Sequence, residues 1–227
     1  MIKPHTSMLV VGLTGGIASG KSEVAKVLRR KGAKIISGDL IGRQVVEGNP
    51  KVLKMLVRAF GREILTKNGK LNRKKLGSLA FSSRGNQNKL NRIVHPKLLR
   101  KLHAEIAKAR REFSRAKRSK KPAPGLIVID AALITEWGLH KKLDMTVMVA
   151  SPVAVRIKRL HKQGLTRNEA KARIARQMAD SRRREFCDFV IKNGGSLSRL
   201  RQKAENLYHL LMVHLIFKEL DESFLPV

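Results

Sequence analysis

An octet of residues near the start of the chain constrains its fold more than any other feature. Residues 15–22 read Gly-Gly-Ile-Ala-Ser-Gly-Lys-Ser, which matches the G-x-x-x-x-G-K-[ST] pattern of a phosphate-binding P-loop. The apolar run at 8–13 before it predicts a buried strand, and Val24, Val27 and Leu28 follow it at helical spacing. Strand, glycine-rich loop and helix in this order predict a nucleoside triphosphate site rather than a chance glycine turn.

Each part of this loop has an expected role. Its glycines permit backbone conformations closed to residues with a Cβ, so the N–H groups can turn inward around a phosphate. Lys21 is expected to reach the β- and γ-phosphates, and the Ser22 hydroxyl to bind Mg²⁺. The predicted nucleoside triphosphate-binding residues are therefore Gly15, Gly16, Ile17, Ala18, Ser19, Gly20, Lys21 and Ser22. The loop by itself does not specify the reaction.

Length and composition bound the class of protein. The chain has 227 residues, 42% of them hydrophobic, which suits one α/β domain with an insertion or two small domains. Its single cysteine, Cys187, excludes an internal disulfide, suits a reducing compartment, and is expected to be a packing residue rather than a nucleophile. No apolar run approaches the roughly 20 residues of a membrane span. We therefore expect a soluble cytoplasmic protein.

The formal net charge of +32 is extreme for a chain of this size. Such a charge attracts polyanions, from nucleotides to RNA or DNA. Basic residues cluster at 100–121 and at 156–184. The clusters include Arg110, Arg111, Arg115, Lys117, Arg118, Lys120 and Lys121, and Arg156, Arg167, Lys171, Arg176, Arg182, Arg183 and Arg184. A solvated basic surface and a specific role in polyanion binding both remain open.

Apolar runs alternate with helical patterns along the chain. Strands are predicted at 33–37, 126–129, 145–150 and 189–191, and turns at 49–50 and 67–70. His95-Pro96 predicts the start of a long helix, Pro152 opens another, and Thr166 with Glu169 predicts a capping box. A basic linker is predicted at 119–125 and an amphipathic helix at 197–211. This pattern predicts an α/β P-loop fold of three layers, with a parallel sheet and a helical insertion.

Two acidic residues follow predicted strands. Asp39 comes after the second strand and Asp130 ends the third. Because ligands of open parallel sheets bind at the carboxyl ends of the strands, both acids are expected near the P-loop. One carboxylate could accept the proton of an attacking hydroxyl and the other could position Mg²⁺. A helix N-cap role for Asp39 and a structural role for Asp130 stay as alternatives.

The chain resembles the dephospho-coenzyme A kinases over nearly its whole length. The resemblance rests on 11–22, on Asp39 with Arg43, on 60–64, 69–76 and Phe81, on His95-Pro96, and on 130–136, 166–178 and 188–194, all in the family's order. It implies ATP-dependent phosphorylation of the ribose 3′-hydroxyl of dephospho-coenzyme A, the last step of coenzyme A synthesis. ATP and Mg²⁺ would be required, and we expect a monomer.

The resemblance also implies residue roles and domains. Asp39 would be the base, with Lys21, Asp130 and Arg173 as further catalytic residues. Thr14, Asp39, Arg43 and His95 would bind the acceptor, while Arg159 and Asn193 would bind ATP, the latter near the adenine. Residues 1–49 and 122–227 would form the nucleotide-binding core, with a lid at about 160–184, and 50–121 the acceptor-binding insertion.

Some positions depart from the family's pattern. Ser37 replaces an acid, Ala132 a proline and Thr135 an aromatic residue, and the turn at 161–164 is one residue short and lacks an arginine, for which Lys162 could supply charge. Another nucleoside or nucleotide kinase of this fold is therefore an alternative. A basic nucleic-acid-binding protein on a P-loop scaffold is a third, although aromatic residues for base stacking are scarce at 4%.

Overall fold

The structure is a computed structural model that describes residues 8–80, 82–116 and 125–224. Phe81, most of the predicted linker and the basic residues Lys117, Arg118, Lys120 and Lys121 lie outside the described residues.

A five-stranded sheet forms the centre of the nucleotide-binding part. Its strands are β1 (Leu9–Thr14), β2 (Lys34–Ser37), β3 (Leu126–Asp130), β4 (Met145–Ala150) and β5 (Phe189–Lys192), in the order β2-β3-β1-β4-β5. All four pairings are parallel, and every residue of β1 is buried. Nearly continuous apolar strands are typical of a sheet covered on both faces. The predicted α/β class and all five strands are confirmed, with each boundary within one residue.

The helices begin and end at recognisable signals. They are α1 (Lys21–Arg30), α2 (Gly38–Glu47), α3 (Pro50–Phe60), α4 (Arg73–Ala80), α5 (Arg84–Ala116), α6 (Val153–His161), α7 (Arg167–Ala175), α8 (Asp180–Arg184) and α9 (Leu197–Phe224), with short 3₁₀ turns at Arg62–Ile64 and Leu139–Lys142. The Asn49 side chain caps α3 by accepting from two backbone amides. The predicted capping box of Thr166 and Glu169 opens α7 and is confirmed.

Two sequence-based helix boundaries are wrong. Pro96 does not start a helix, because α5 runs through it from Arg84 to Ala116. A proline inside a helix removes one hydrogen bond, but Leu98 and Leu102 are buried and hold the next turns in place. The last helix does not end near residue 211: α9 continues to Phe224, since the buried Leu215 extends the apolar stripe by another turn.

The described residues form two compact units, 8–37 with 106–224 and 38–105. In the first unit, α9 packs on α1, and their shared core includes Val24, Leu28, Leu200, Leu207 and Leu211. The second unit buries Ile41, Val45, Val52, Leu56 and Ile64. Within the described ranges, no helix combines the length and the apolar character needed to cross a bilayer.

Candidate active site

The P-loop connects β1 to α1, and its backbone requires small residues. Gly20 precedes α1 with φ 103°, in the left-handed region. A Cβ there would lie 2.9 Å from Leu200 Cδ2 and would collide with the Asn193 amide. Gly20 is therefore needed both for its conformation and for the space it leaves. Helix α1 begins at Lys21, so its unpaired N-terminal amides follow the loop directly.

Side chains hold three successive carbonyl groups of the loop. Arg156 Nε donates to Ile17 O (2.8 Å), and Arg159 Nη1 donates to the carbonyls of Ala18 (3.0 Å) and Ser19 (3.2 Å). Asn193 Nδ2 donates to the Ser19 carbonyl at 2.7 Å. Because the C=O and N–H of one planar peptide group point in opposite directions, these contacts turn the amides of Ala18 and Gly20 away from the side chains that hold the carbonyls. The Ser19 amide instead donates to the Gly16 carbonyl at 3.1 Å. The loop is thus pre-organised to present N–H donors to an anion.

Arg159 and Asn193, both predicted to bind ATP, hold each other as well as the loop. Arg159 Nη2 donates to the Asn193 carbonyl at 3.5 Å, and its Nη1 also reaches Ser151 Oγ at 3.3 Å. Asn193 is buried. Their direct contacts with ATP, and the position of Asn193 near the adenine, stay predictions.

Lys21 forms an ion pair with Asp130. The pair arises from the strand register, because Asp130 ends β3 opposite Leu13 of β1, next to the start of the loop. Both side chains are mostly buried, at 12% and 17% exposed. Thr14 is fully buried and its hydroxyl donates to the Ala132 carbonyl at 3.1 Å, which ties the segment after Asp130 to the end of β1. Asp130 therefore lies beside the P-loop lysine, while its catalytic role stays a prediction.

The oxygen donors near Lys21 suit Mg²⁺. Ser22 is exposed in the first turn of α1, and the Asp130 carboxylate pairs with the adjacent residue, Lys21. Within the described residues, no three His, Cys, Asp or Glu side chains cluster as metal ligands. Mg²⁺ bound to a nucleotide needs only one or two protein oxygens, because phosphates and waters complete its shell. One hydroxyl and one carboxylate therefore fit this ion.

Three predicted acceptor residues belong to the unit of residues 38–105. Asp39 is exposed in the first turn of α2, two residues after β2 ends, and Arg43 is exposed one turn later. Their spacing of four places both on one side of α2. His95 is half-buried within α5. Their roles at the acceptor stay predictions.

The basic side chains of residues 156–184 differ in whether they contact the P-loop. Arg173 is exposed in the last turn of α7, and its side chain has no polar contact with another described residue. In the short turn after α6, Lys162 is exposed and makes no described contact with the loop. The guanidinium groups that do touch the loop come from α6.

Sequence reasoning missed Arg156 and Gln177. Arg156 is only 3% exposed, and Gln177 Oε1 accepts a hydrogen bond from the Ile17 amide at 2.7 Å. Burial lowers the pKa of Arg156, while the Asp180 carboxylate opposes that shift. The sequence does contain a sign that Arg156 is buried. Arg156 and the buried Leu160 are four residues apart and therefore share the apolar side of α6.

Cys187 is unsuited to nucleophilic chemistry. Burial raises the pKa of its thiol to about 11, and its Sγ donates to the Arg183 carbonyl at 3.2 Å. The thiol is therefore protonated near neutral pH, as expected of a packing residue.

Similarities to known proteins cover most of the chain. Residues 9–199 match the family model described as dephospho-CoA kinase. The dephospho-CoA kinase of Corynebacterium diphtheriae is 38% identical over 202 residues, which are 88% of this chain and 96% of that protein. That of Mycolicibacterium paratuberculosis is 38% identical over 89% of this chain, but the chain spans only 47% of that longer protein.

Solved structures agree with the fold. The protein TT1252 from Thermus thermophilus matches with a TM-score of 0.70 and 30% identity, over 90% of this chain and 98% of that one. Dephospho-CoA kinase from Campylobacter jejuni has a TM-score of 0.61 at 24% identity, over 90% and 98%. Shikimate kinase from Acinetobacter baumannii has a TM-score of 0.51 at 14% identity, over 92% and 96%. The last two similarities bear on the fold alone.

Proposed function

The chain belongs to the dephospho-CoA kinase family, and we propose that it transfers the terminal phosphoryl group of ATP to the ribose 3′-hydroxyl of dephospho-coenzyme A. The products are coenzyme A and ADP. The observation that carries the donor half of this proposal is the P-loop, whose carbonyls are held by Arg156, Arg159 and Asn193. The acceptor half is supported by family membership.

The loop and Lys21 bind the donor. Backbone amides and the N-terminus of α1 accept the negative charge of the phosphates, and Lys21 reaches the terminal groups while Asp130 orients its ammonium. Ser22 and Asp130 would hold Mg²⁺, which supplies charge neutralisation on the phosphates when bound. Most of the catalysis is expected to come from positioning and charge stabilisation, because phosphoryl transfer needs little covalent chemistry from the protein.

Asp39 is proposed as the base for the acceptor. The 3′-oxygen forms the new bond to the γ-phosphorus, the bond from that phosphorus to the β–γ bridging oxygen breaks, and the hydroxyl proton passes to the carboxylate. Thr14, Arg43 and His95 are proposed to bind the acceptor, and residues 50–121 are proposed to form the acceptor-binding insertion. Arg173 is proposed to neutralise the transferring group from a lid at about 160–184, which excludes water as it closes.

The acceptor is tested by measuring ADP release with candidate acceptors side by side. We expect dephospho-coenzyme A to stimulate ADP release strongly over water, and nucleosides, nucleotides and shikimate to leave it at background. A sample that binds ATP and turns over a nucleoside but not dephospho-coenzyme A would contradict the proposal and favour the alternative kinase.

The base is tested with Asp39→Asn. Turnover should fall by about 10² to 10⁴, the usual contribution of general-base catalysis, while ATP affinity stays near that of the wild type. Glu47→Gln, at the other end of α2, is the matched control and should keep wild-type turnover, because Glu47 is exposed and pairs only with Arg73 among the described residues. Unchanged turnover in Asp39→Asn would remove Asp39 from this role.

We also propose that the protein binds polyanions through its net charge, that it is cytoplasmic and that it is a monomer. The first rests on the charge of +32 and the second on the single cysteine.

A further inference from the structure

Both polar backbone groups of Ile17 are held by side chains from outside the loop. Its amide donates to Gln177 Oε1 at 2.7 Å, and its carbonyl accepts from Arg156 Nε at 2.8 Å. The two side chains also contact each other, since Arg156 Nη2 donates to Gln177 Oε1 at 3.4 Å. We call Arg156, Gln177 and the Ile17 backbone the Ile17 clamp. It joins the middle of the P-loop to α6 and to the segment between α7 and α8.

The Arg156 guanidinium lies directly against the loop. A Cβ on Gly16 would collide with it, so glycine at this position leaves room for the guanidinium. Its third contact is with Asp180, from Nη1 at 3.4 Å. Nε, Nη1 and Nη2 thus donate in three fixed directions, which a planar guanidinium can do and a lysine ammonium on a flexible stem cannot.

The clamp is supported by buried charged groups behind it. Asp180 Oδ1 accepts from Arg183 Nη1 at 3.1 Å, and Arg183 Nη2 donates to Glu136 Oε1 at 3.3 Å. Arg183 is fully buried, and Glu136 belongs to the segment that follows β3. Two buried arginines and two partly exposed carboxylates therefore alternate along one network, so that displacement of one member is opposed by the others.

Backbone amides of a P-loop are phosphate ligands, and the Ile17 amide is already engaged by an uncharged oxygen. A phosphate oxygen that approaches this amide competes with Gln177 Oε1 for it. Ile17 lies three residues before Gly20, away from the start of α1. The occupant of the Ile17 amide would therefore change if a phosphate oxygen reached it.

We propose that Arg156 and Gln177 are positioning residues that set the Ile17 peptide groups for the terminal phosphate of ATP and transmit its arrival to the segment between α7 and α8. Arg156 keeps the carbonyl turned away, and Gln177 yields the amide to the phosphate. The inference rests on the proposed function in taking ATP as the ligand. It does not depend on which acceptor is used.

The decisive variant is Gln177→Glu, compared with Gln202→Glu. The new carboxylate pairs with Arg156, retains the Ile17 amide and repels a terminal phosphate. We expect ATP affinity, measured by calorimetry without acceptor, to fall at least about tenfold, and ADP affinity to change by less than about threefold. Gln202→Glu adds the same charge at an exposed position of α9 and should alter neither affinity.

Two further variants test whether Arg156 acts by positioning the Ile17 peptide groups rather than by its charge or by stabilising the fold. Arg156→Lys keeps the charge but loses the fork, so kcat/KM for ATP should fall at least about tenfold while the KM for the acceptor is unchanged. Arg29→Lys, exposed in the last turn of α1, should behave as wild type. In the double variant Arg156→Lys/Gln177→Ala, the loss should be smaller than the product of the single losses, because both act through one residue.

Equal weakening of ATP and ADP by Gln177→Glu, or wild-type affinities in that variant, would overturn the proposal. So would full kcat/KM for ATP in a folded Arg156→Lys protein. If Arg156→Lys does not fold, the Gln177→Glu comparison decides alone. The binding measurements contain no acceptor, so an error in the proposed acceptor would appear in turnover assays and leave them interpretable.

Discussion

At the scale of single residues, Arg156 and Arg159 on α6 donate hydrogen bonds to the P-loop, and nearby exposed basic residues do not. They hold the carbonyl groups of Ile17, Ala18 and Ser19, whereas Arg173 and Lys162 lie at the surface. A guanidinium nitrogen that donates to a loop carbonyl is not donating to a phosphate. It instead fixes the direction of the amide in the same peptide group. Part of the basic character of the sequence therefore shapes the loop rather than contacting ligand.

Ala18 is the described non-glycine residue with a positive φ, at 59°. A left-handed conformation costs a residue with a Cβ about 1–2 kcal/mol, and this cost exceeds the entropy that glycine loses on folding. We expect Ala18→Gly to raise the free energy of unfolding by up to about 1 kcal/mol, measured by urea denaturation.

A matched alanine in an ordinary helical conformation should respond in the opposite direction. Ala172 is exposed within α7, and glycine there should lower the free energy of unfolding by about 1 kcal/mol. Destabilisation by Ala18→Gly similar to that by Ala172→Gly would show that the strain at Ala18 is not relieved by glycine.

At the scale of elements, the packing of α9 on α1 covers the sheet beside the P-loop. The buried stripe on α9 continues through Leu207 and Leu211 to Leu215. Since α1 begins directly after the loop, α9 supports the helix that follows the P-loop. Through α1, the packing of α9 in the core therefore also supports the P-loop.

Leu211→Ala tests this support. Leu211 is fully buried, so its truncation should lower the free energy of unfolding by about 2–5 kcal/mol through lost burial and the cavity left behind. Phe217→Ala on the same helix is the control, because Phe217 is 62% exposed, and it should change stability by less than about 0.5 kcal/mol. Equal effects of the two substitutions would contradict the observed orientation of α9.

The sequence was sufficient for the sheet and for the P-loop. Short apolar runs predicted every strand, because parallel strands buried on both faces need continuous apolar residues. It was insufficient for Pro96, since local rules end a helix there and the burial of Leu98 and Leu102 overrides them. It also missed Arg156 and Gln177, because contacts between residues about 140 and 160 positions apart leave no trace in local spacing.

At the scale of the whole molecule, the unusual feature is its charge. Several described carboxylates pair with bases, including Asp130, Asp144 and Asp180. With only 17 acidic residues against 49 basic ones, such pairs leave most of the basic side chains unmatched. Much of the positive charge is therefore presented to solvent, as on the exposed Arg110 and Arg111 of α5.

We expect duplex DNA of about 20 base pairs to bind without sequence preference at 50 mM salt. Its affinity should fall by about 10³ or more at 200 mM, because counterion release dominates such binding. Fluorescence anisotropy with two unrelated sequences measures this directly. Tight binding of one sequence that persists at 200 mM salt would instead indicate a dedicated nucleic-acid site.

Identification of the product decides whether the protein transfers phosphate from ATP to dephospho-coenzyme A. The protein is incubated with ATP, Mg²⁺ and dephospho-coenzyme A, and the acceptor is analysed by mass spectrometry and ³¹P NMR. We expect one coenzyme A, phosphorylated at the ribose 3′-position, for each ADP released. ADP accompanied only by free phosphate, or an unmodified acceptor in a sample that binds ATP, would contradict it.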